Sequence, residues 1–482
     1  MHRRMNPSNR KRESTSLGQL VEVEITGLNH EGDGVGRHDG RVLFVAGAVP
    51  GDLVDAAIAQ ERGNYARAKI VDIKKPSCLR TSPECGVFGE CGGCGLQVMD
   101  YGAQLAWKTR LVQDAVTRIG GLRGVTVHDT VPSPSVWHYR NKAMFPVGGL
   151  GGRLVAGCYR RGTHQIVPSS ACKIQHPTNN LILSEILRLC EQYGIQPYDE
   201  QTGRGVLRHI MARVAVGTGE SMAVLVTATK KLPYAAPIGK ALAESVPGLV
   251  SVIQNVNPER TNIVLGPEWR VIRGREYIDD VFGNDRIGRL RFRVSALSFY
   301  QVNPEQAAQV YAKALEYAES GSAAARDRVA LDLYCGIGTI TLFLASCFSA
   351  AIGVEENGEA IRDARRNARM NGIGNARFFE GRAERVLPSL AAELEASGLT
   401  PDAVVLDPPR AGCETAVLDA ICRLRPSSVV YISCYPSTLA RDLAYLANLG
   451  YRATEIQPFD MFPHTPHVEC IIMITNSGLG SK

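Results

Sequence analysis

The sequence predicts an α/β protein: a doubly wound, mostly parallel sheet toward the C-terminus, a small N-terminal β-barrel, and a β-rich region between them. Three observations predict it. From about residue 291 onward, short apolar runs (VALDL, AAIGVEE, AVVLDPP, SVVYISC) alternate with helical stretches, the rhythm of βα units. A Gly-x-Gly turn lies at the first strand–helix junction, where open α/β sheets bind ligands. Residues 18–75 instead alternate apolar and polar residues between Gly-rich turns, as in a five-stranded barrel of oligonucleotide-binding type.

The 482 residues carry a net charge of +6, a mild basic excess that suits a polyanionic partner. No apolar run reaches the roughly 18 residues of a membrane span, and no apolar segment follows the basic start MHRRMNPSNRKR. A cytoplasmic chain that neither spans a membrane nor carries a secretory signal is expected. In that setting thirteen cysteines point to metal ligation or catalysis rather than disulfides.

The expected organisation starts with a basic, disordered tail over 1–17, including Arg3, Arg4, Arg10, Lys11 and Arg12. The barrel follows over 18–76. Arg37, Arg41, Arg62, Arg67, Lys69, Lys74 and Lys75 lie on or beside its strands, as a nucleic-acid surface or as solvated strand edges. A central domain over 77–290 opens with Cys85-x5-Cys91-x2-Cys94, which has metal-site spacing. The fourth ligand is expected at Cys172, with Cys158 and Cys78 as alternatives, and spacing alone admits zinc or an iron–sulfur cluster. An amphipathic helix over 101–119 stops at Gly120–Gly121 and is expected to pack on the last domain. The strand-rich stretch to 290 reads as an antiparallel sheet with Arg140, Lys142, Arg160, Arg161, Arg208 and Arg213 at its strand starts. The α/β domain occupies 291–482.

In that domain, Asp332-x-Tyr334-Cys335-Gly336-x-Gly338 precedes a helix, and Glu355 ends the next strand, placed to grip ribose hydroxyls. The third glycine of a dinucleotide site is missing after Gly338, so S-adenosylmethionine is favoured over NAD. Asp407 opens DPPR at a later strand end. Cys434 ends the strand SVVYISC, and Glu469 lies in an apolar run near His464 and His467. The pair suits methylation at carbon 5 of uracil, an atom too weakly nucleophilic to act unaided. A thiolate adding at carbon 6 raises electron density at carbon 5, and a base must then remove the carbon-5 proton. Glu469 as a structural carboxylate paired with Arg441 or another cation is the alternative.

SFYQVNPEQ, LDLYCGIGTITL, VLDPPRAGC, SCYPSTLARDL and DMFPHTPHVE, in this order, resemble the motifs of the RNA 5-methyluridine methyltransferase family over nearly the whole chain. The barrel and ECGVFGECGGCG further resemble the 23S ribosomal RNA branch, which carries a TRAM domain and a [4Fe–4S] cluster. The resemblance implies a Rossmann-like S-adenosylmethionine-dependent catalytic domain with Cys434 as nucleophile and Glu469 as proton acceptor. It implies cofactor contacts at Gln301, Tyr334, Gly336, Gly338, Thr339, Glu355 and Asp407, and cluster ligands at Cys85, Cys91, Cys94 and Cys172. Thr339 stands where several members carry Asn, Arg382 lies near a further Asn position, and Cys78 has no family role. The expected function is 5-methylation of a uridine in 23S ribosomal RNA by a monomer that acts on neither DNA nor membranes, the target base being flipped out. The alternatives are a transfer-RNA uridine methylase and a non-catalytic RNA-binding protein on the same fold.

Overall fold

The computed structural model describes residues 17–320 and 328–476, so the expected basic tail lies outside the described residues. The chain divides into two compact units: one comprises Met1–Glu84 and Cys94–Gln104, the other Cys85–Gly93 and Leu105–Lys482.

The first unit holds a closed barrel of strands Leu20–Leu28, Gly34–His38, Arg41–Ala46, Leu53–Arg62 and Tyr65–Lys75, the last pairing between the third and fourth. Its period-two pattern turns Val21, Val23 and Ile25 inward with Val45, Val54 and Ile58, all nearly without exposure. The barrel's exit is fixed by Asp52, which is fully buried. It accepts hydrogen bonds from Arg80 (2.5 Å), Val49 N–H (2.7 Å) and Ser77 N–H (2.8 Å). Burial alone would raise this carboxyl, but those bonds hold it below its usual range. Of the basic residues read as a nucleic-acid surface, Arg37, Arg62, Lys69 and Lys75 are exposed. Arg41 pairs with Glu61, Arg67 with Glu31 and Asp33, and Lys74 with Glu22 and Asp55.

The second unit contains two large sheets. The first has seven strands in the spatial order Glu268–Gly274, Leu249–Val256, Ser221–Thr227, Leu207–Val214, Lys142–Leu150, Arg153–Tyr159, Ile166–Pro168. It is antiparallel, as expected, except where Ser221–Thr227 runs parallel to Leu249–Val256. Helices Pro177–Gln192 and Ala235–Ser245 cover one face through Ile182, Ile186 and Leu242 against Phe145 and Ile210. From the other face, Met211, Met222 and Val224 share a core with Phe282, Phe292 and Tyr311. Sandwiched strands lose the polar alternation, which explains why Leu207–Val214 and Ser221–Thr227 are buried at every position.

The second sheet has eight strands, ordered Ala376–Glu380, Ala350–Glu355, Val329–Leu333, Ala403–Leu406, Ser428–Ser433, Glu469–Asn476, Tyr451–Phe459, Thr126–Val127. The first five are mutually parallel, and Glu469–Asn476 is antiparallel to both of its neighbours. Strand order reverses at Val329–Leu333, which makes its C-terminal end the switch point where such sheets bind ligands. The short outer strand Thr126–Val127 comes from the stretch after the 101–119 helix. That helix is α-helical over Tyr101–Asp114 and ends in a π-turn, Ala115–Ile119, packed on helix Pro436–Asn448. Its Lys108 is fully buried and reaches Asp460 at 2.5 Å.

Candidate active site

The glycine turn is built by backbone conformation. Tyr334, Gly336 and Gly338 all have positive φ (70°, 55° and 82°), which folds the chain sharply back into helix Thr339–Cys347. A Cβ on Gly338 would meet the Phe378 ring at 3.0 Å, so that glycine is demanded by packing. A Cβ on Gly336 would meet no atom within 4 Å, so this part of the turn faces open space. Glu355 ends the neighbouring strand and accepts the Gly336 N–H at 3.1 Å and the Asn357 N–H at 2.8 Å. Beneath the turn, Asp332 is completely buried and accepts the Thr341 hydroxyl at 2.5 Å. Its Oδ1 has no partner among the described residues, and burial pushes its carboxyl up to about 7. Tyr334 bonds through its hydroxyl to the Cys413 sulfur, and Thr339, nearly buried, opens the helix.

Asp407 follows strand Ala403–Leu406 and donates its N–H to Leu333 O at 3.4 Å, beside the glycine turn; burial raises its carboxyl. The Gln301 carbonyl accepts from Asn141 Nδ2 at 3.1 Å, while its side chain bonds to the buried Tyr311 hydroxyl. Tyr311 lies in the fields of Asp407, Asp332 and Glu469, which with burial raise its hydroxyl.

Cys434 comes directly after strand Ser428–Ser433, and Glu469 is the first residue of the antiparallel strand beside it. Ser433 is paired with Cys470, so the register carried one step further sets Cys434 opposite Glu469. Glu469 is only 6% exposed, and its carboxyl is pushed well above the usual range by burial and then by Asp407. Cys434 is half-buried; burial and then Glu469 push its thiol up to about 11, against the opposing pull of Arg410. Of the cations in the structural alternative for Glu469, Arg441 pairs instead with Asp442 at 2.8 Å, while Arg410 acts on the Glu469 carboxyl with a charge that favours its anion. Two exposed aromatic side chains adjoin candidate site residues in sequence: Phe299, two residues before Gln301, at 67% exposure, and Tyr435, next to Cys434, at 38%.

The tRNA (Uracil-5-)-methyltransferase family matches residues 263–477, and the TRAM domain matches residues 15–71. An uncharacterized RNA methyltransferase of Bacillus cereus is 43% identical over 457 residues, covering 95% of this chain and 96% of its own length. The chain belongs to the RNA uracil-5-methyltransferase family. A further relative in Caldanaerobacter subterraneus subsp. tengcongensis, also named an uncharacterized RNA methyltransferase, is 43% identical over 458 residues, 95% of this chain and 98% of its own. Among solved structures, the Pyrococcus abyssi tRNA (uracil-54, C5)-methyltransferase in complex with S-adenosyl-L-homocysteine matches with a TM-score of 0.72. The two are 26% identical, over 94% of this chain and 100% of that one. The α/β domain thus has the S-adenosylmethionine-dependent methyltransferase fold, and the chain is an RNA methyltransferase.

The thiols expected to bind metal divide between the units of this uracil-5-methyltransferase. Cys94 belongs to the first unit, and Cys85, Cys91 and Cys172 to the second. The Gly93 N–H donates to Cys91 Sγ at 3.3 Å, a bond that favours a thiolate. Cys158 proves to be the near neighbour of Cys91. The backbone pairs Cys91 with Arg160, Gly92 N–H bonds Tyr159 O at 2.9 Å, and the two sulfurs share a hydrogen bond that lowers the Cys91 pKa. Burial raises the Cys172 thiol, which lies in the fields of Cys91 and Cys85. The donor chemistry fits a thiolate-held metal, yet among the described residues no three His, Cys, Asp or Glu side chains converge as ligands. Cys78 is exposed.

Arg208 and Arg213, read in the sequence as groove or sheet-face cations, are instead buried. Arg213 donates to Ser295 O and Ser298 O, both at 2.8 Å, and Arg208 to Asn257 O and Glu259 O, both at 2.6 Å. Three residues close to the site escaped sequence reasoning: Tyr311, Tyr435 and Arg410. Only Arg410 left a signal, since it closes the DPPR motif.

Proposed function

We propose that the enzyme transfers a methyl group from S-adenosylmethionine to carbon 5 of a uridine in 23S ribosomal RNA, through a transient bond between Cys434 and carbon 6. The observation that carries this reading is the register that sets Cys434 opposite Glu469 at the strand ends, with Asp407 in electrostatic contact with both.

The unfilled space above Gly336, the carboxylate of Glu355 and the unpartnered Asp332 oxygen fit a nucleoside-bearing cofactor. Gln301, Tyr334, Gly336, Gly338, Thr339, Glu355 and Asp407 would hold it there. When bound, S-adenosylmethionine supplies an electrophilic methyl on sulfur. Cys434 gives an electron pair to carbon 6, and the carbon 5–carbon 6 π pair moves into an enolate with density at carbon 5. Once carbon 5 is methylated, Glu469 accepts its proton. The carbon–hydrogen pair re-forms the double bond, and the carbon–sulfur pair returns to Cys434. Burial and the nearby Asp407 charge raise the proton affinity of the Glu469 carboxyl, which suits it to taking up the carbon-5 proton.

In this reading Cys85, Cys91 and Cys172 of the second unit supply thiolates to the structural [4Fe–4S] cluster that the family resemblance implies, supported by the N–H···S bond at Cys91. Exposed Arg37, Arg62, Lys69 and Lys75 on the TRAM barrel offer phosphate contacts, and outward-facing Phe299 and Tyr435 offer stacking surfaces for unpaired bases. The protein acts as a monomer in the cytoplasm.

A second reading, with transfer RNA as substrate, is favoured by the likeness to the Pyrococcus enzyme. Incubating the protein with methyl-labelled S-adenosylmethionine and either RNA class separately decides between them. Label in 23S RNA alone is expected; label in transfer RNA alone replaces the substrate, and no label in either restores the non-catalytic alternative.

A further inference from the structure

Arg213 lies on strand Leu207–Val214 and is 1% exposed, yet among the described residues it enters no ion pair with a carboxylate. A guanidinium taken out of water without a counter-charge is costly, and an apolar side chain of similar length would pack there without that cost. What the guanidinium adds is a planar fork of donors. One arm bonds Ser295 O and the other Ser298 O, both at 2.8 Å.

Those carbonyls open the segment 295–301, which runs from the end of strand Gly288–Ser295 to Gln301. Beyond a strand end the backbone has no ladder partner, so its buried carbonyls need donors from elsewhere. The alternation of the strand nonetheless continues: Ala296, Ser298 and Tyr300 are buried, while Leu297 and Phe299 are exposed. Ser298 Oγ donates to Asp363 on helix Gly358–Met370 at 2.8 Å and stands 2.6 Å from Ser295 Oγ. The Tyr300 hydroxyl donates to Asp280 at 2.9 Å. At the far end, Asn141 donates through Nδ2 to Gln301 O at 3.1 Å and through its N–H to Val302 O at 2.8 Å. Asn141 O accepts the N–H of Val214, the residue after Arg213, at 2.8 Å. The seven-stranded sheet thus grips the segment at both ends, through Arg213 at its start and Asn141 at its finish.

We propose that Arg213 is a positioning residue for the methylation: by holding Ser295 O and Ser298 O it fixes the segment that presents Phe299 outward and delivers Gln301 to the cofactor. This rests on the proposed roles of Gln301 at the cofactor and Phe299 toward RNA. It makes the central sheet, and not the α/β domain alone, part of the machinery.

The test uses the full-length protein with Arg213→Met, Arg213→Lys and Ile210→Ala. Ile210 lies on the same strand but packs with Ile182 and Ile186 of helix Pro177–Gln192, so its loss weakens the core without touching the segment. Displacing a reacting group by about 1 Å can cost ~100-fold in rate. Arg213→Met is expected to lower kcat at least ~10-fold, with KM for RNA, set by phosphate contacts over a wide surface, within ~3-fold. Hydrogen exchange over 296–301, read by mass spectrometry, should quicken at least ~10-fold. Arg213→Lys restores the charge but not the fork and should recover part of both. Ile210→Ala should keep kcat and the 296–301 exchange within ~2-fold of wild type. Equal losses in Arg213→Met and Ile210→Ala, or quickened exchange with kcat intact, overturn the proposal. If Arg213→Met fails to fold, judged by circular dichroism, Arg213→Lys is compared with Ile210→Ala by the same criteria. Affinity for S-adenosylhomocysteine, measured without RNA, keeps the result separate from the enzyme reading. A ~10-fold loss confined to the Arg213 variants upholds the positioning even in a protein that methylates no RNA, and unchanged affinity overturns it.

Discussion

Cys434 and Glu469 are set apart by what surrounds them rather than by residue type. Burial and then Glu469 leave the Cys434 thiol at about 11, so it holds its proton at neutral pH, while burial and then Asp407 raise the Glu469 carboxyl. The consequence for rate has a definite sign. Below its midpoint the thiolate fraction grows ~10-fold per pH unit, and deprotonation of Glu469 acts in the same direction. With saturating RNA and cofactor, single-turnover methylation should therefore rise from pH 7 to 9 without levelling. A profile already flat at pH 7 would mean that neither group limits the reaction in the bound state. Arg213 shows the opposite lesson. In the sequence it is one more cation on a strand, but its guanidinium ends on two backbone carbonyls inside the core, where no RNA reaches.

At the scale of elements, the glycine turn after strand Val329–Leu333 separates packing from binding. Gly338→Ala would drive a methyl group against Phe378 and is expected to cost about 1–3 kcal/mol of stability. Gly336→Ala meets no protein atom, so only its left-handed backbone is strained, at about 1 kcal/mol. Its added methyl should instead occupy cofactor space. Calorimetry is expected to show near-normal melting with S-adenosylmethionine affinity reduced at least ~10-fold; unchanged affinity would place the cofactor elsewhere. Such turns are legible in a sequence because glycine, strand and helix signals are local. The barrel was legible for the same reason, through the inward alternation of Val21, Val23 and Ile25. The strand Thr126–Val127 was not: two residues carry no periodicity, and only pairing with Tyr451–Phe459 makes them a strand. Cys158 was legible only as one of three candidates for a fourth thiol; that it is a neighbour of Cys91 depends on a backbone pairing across some seventy residues.

Across the whole molecule, the catalytic sheet draws on chain that lies far from it in sequence. The stretch after Leu105 returns to it three times: through the π-turn on helix Pro436–Asn448, through Thr126–Val127, and through Val131, whose N–H bonds Pro458 O at 2.9 Å. The Lys108–Asp460 pair is sealed inside this arrangement, with Lys108 also donating to Phe462 O at 3.2 Å, on the loop that leads to Glu469. Removing one partner of a fully buried pair leaves the other charge uncompensated. Lys108→Met is expected to destabilise the second unit by about 3–5 kcal/mol, while Lys108→Met with Asp460→Asn recovers much of the loss. Denaturant unfolding checks both, and a single variant as stable as the parent would show that the pair does not hold the loop.

The most direct measurement is capture of the enzyme on its RNA. Full-length Glu469→Gln, mixed with labelled 23S RNA and S-adenosylmethionine and run on a denaturing gel, should leave a slow-migrating protein–RNA band, because the sulfur cannot depart until carbon 5 loses its proton. Adding Cys434→Ala should erase that band. Normal turnover by the glutamine variant, or a band that survives loss of the thiol, would contradict the account.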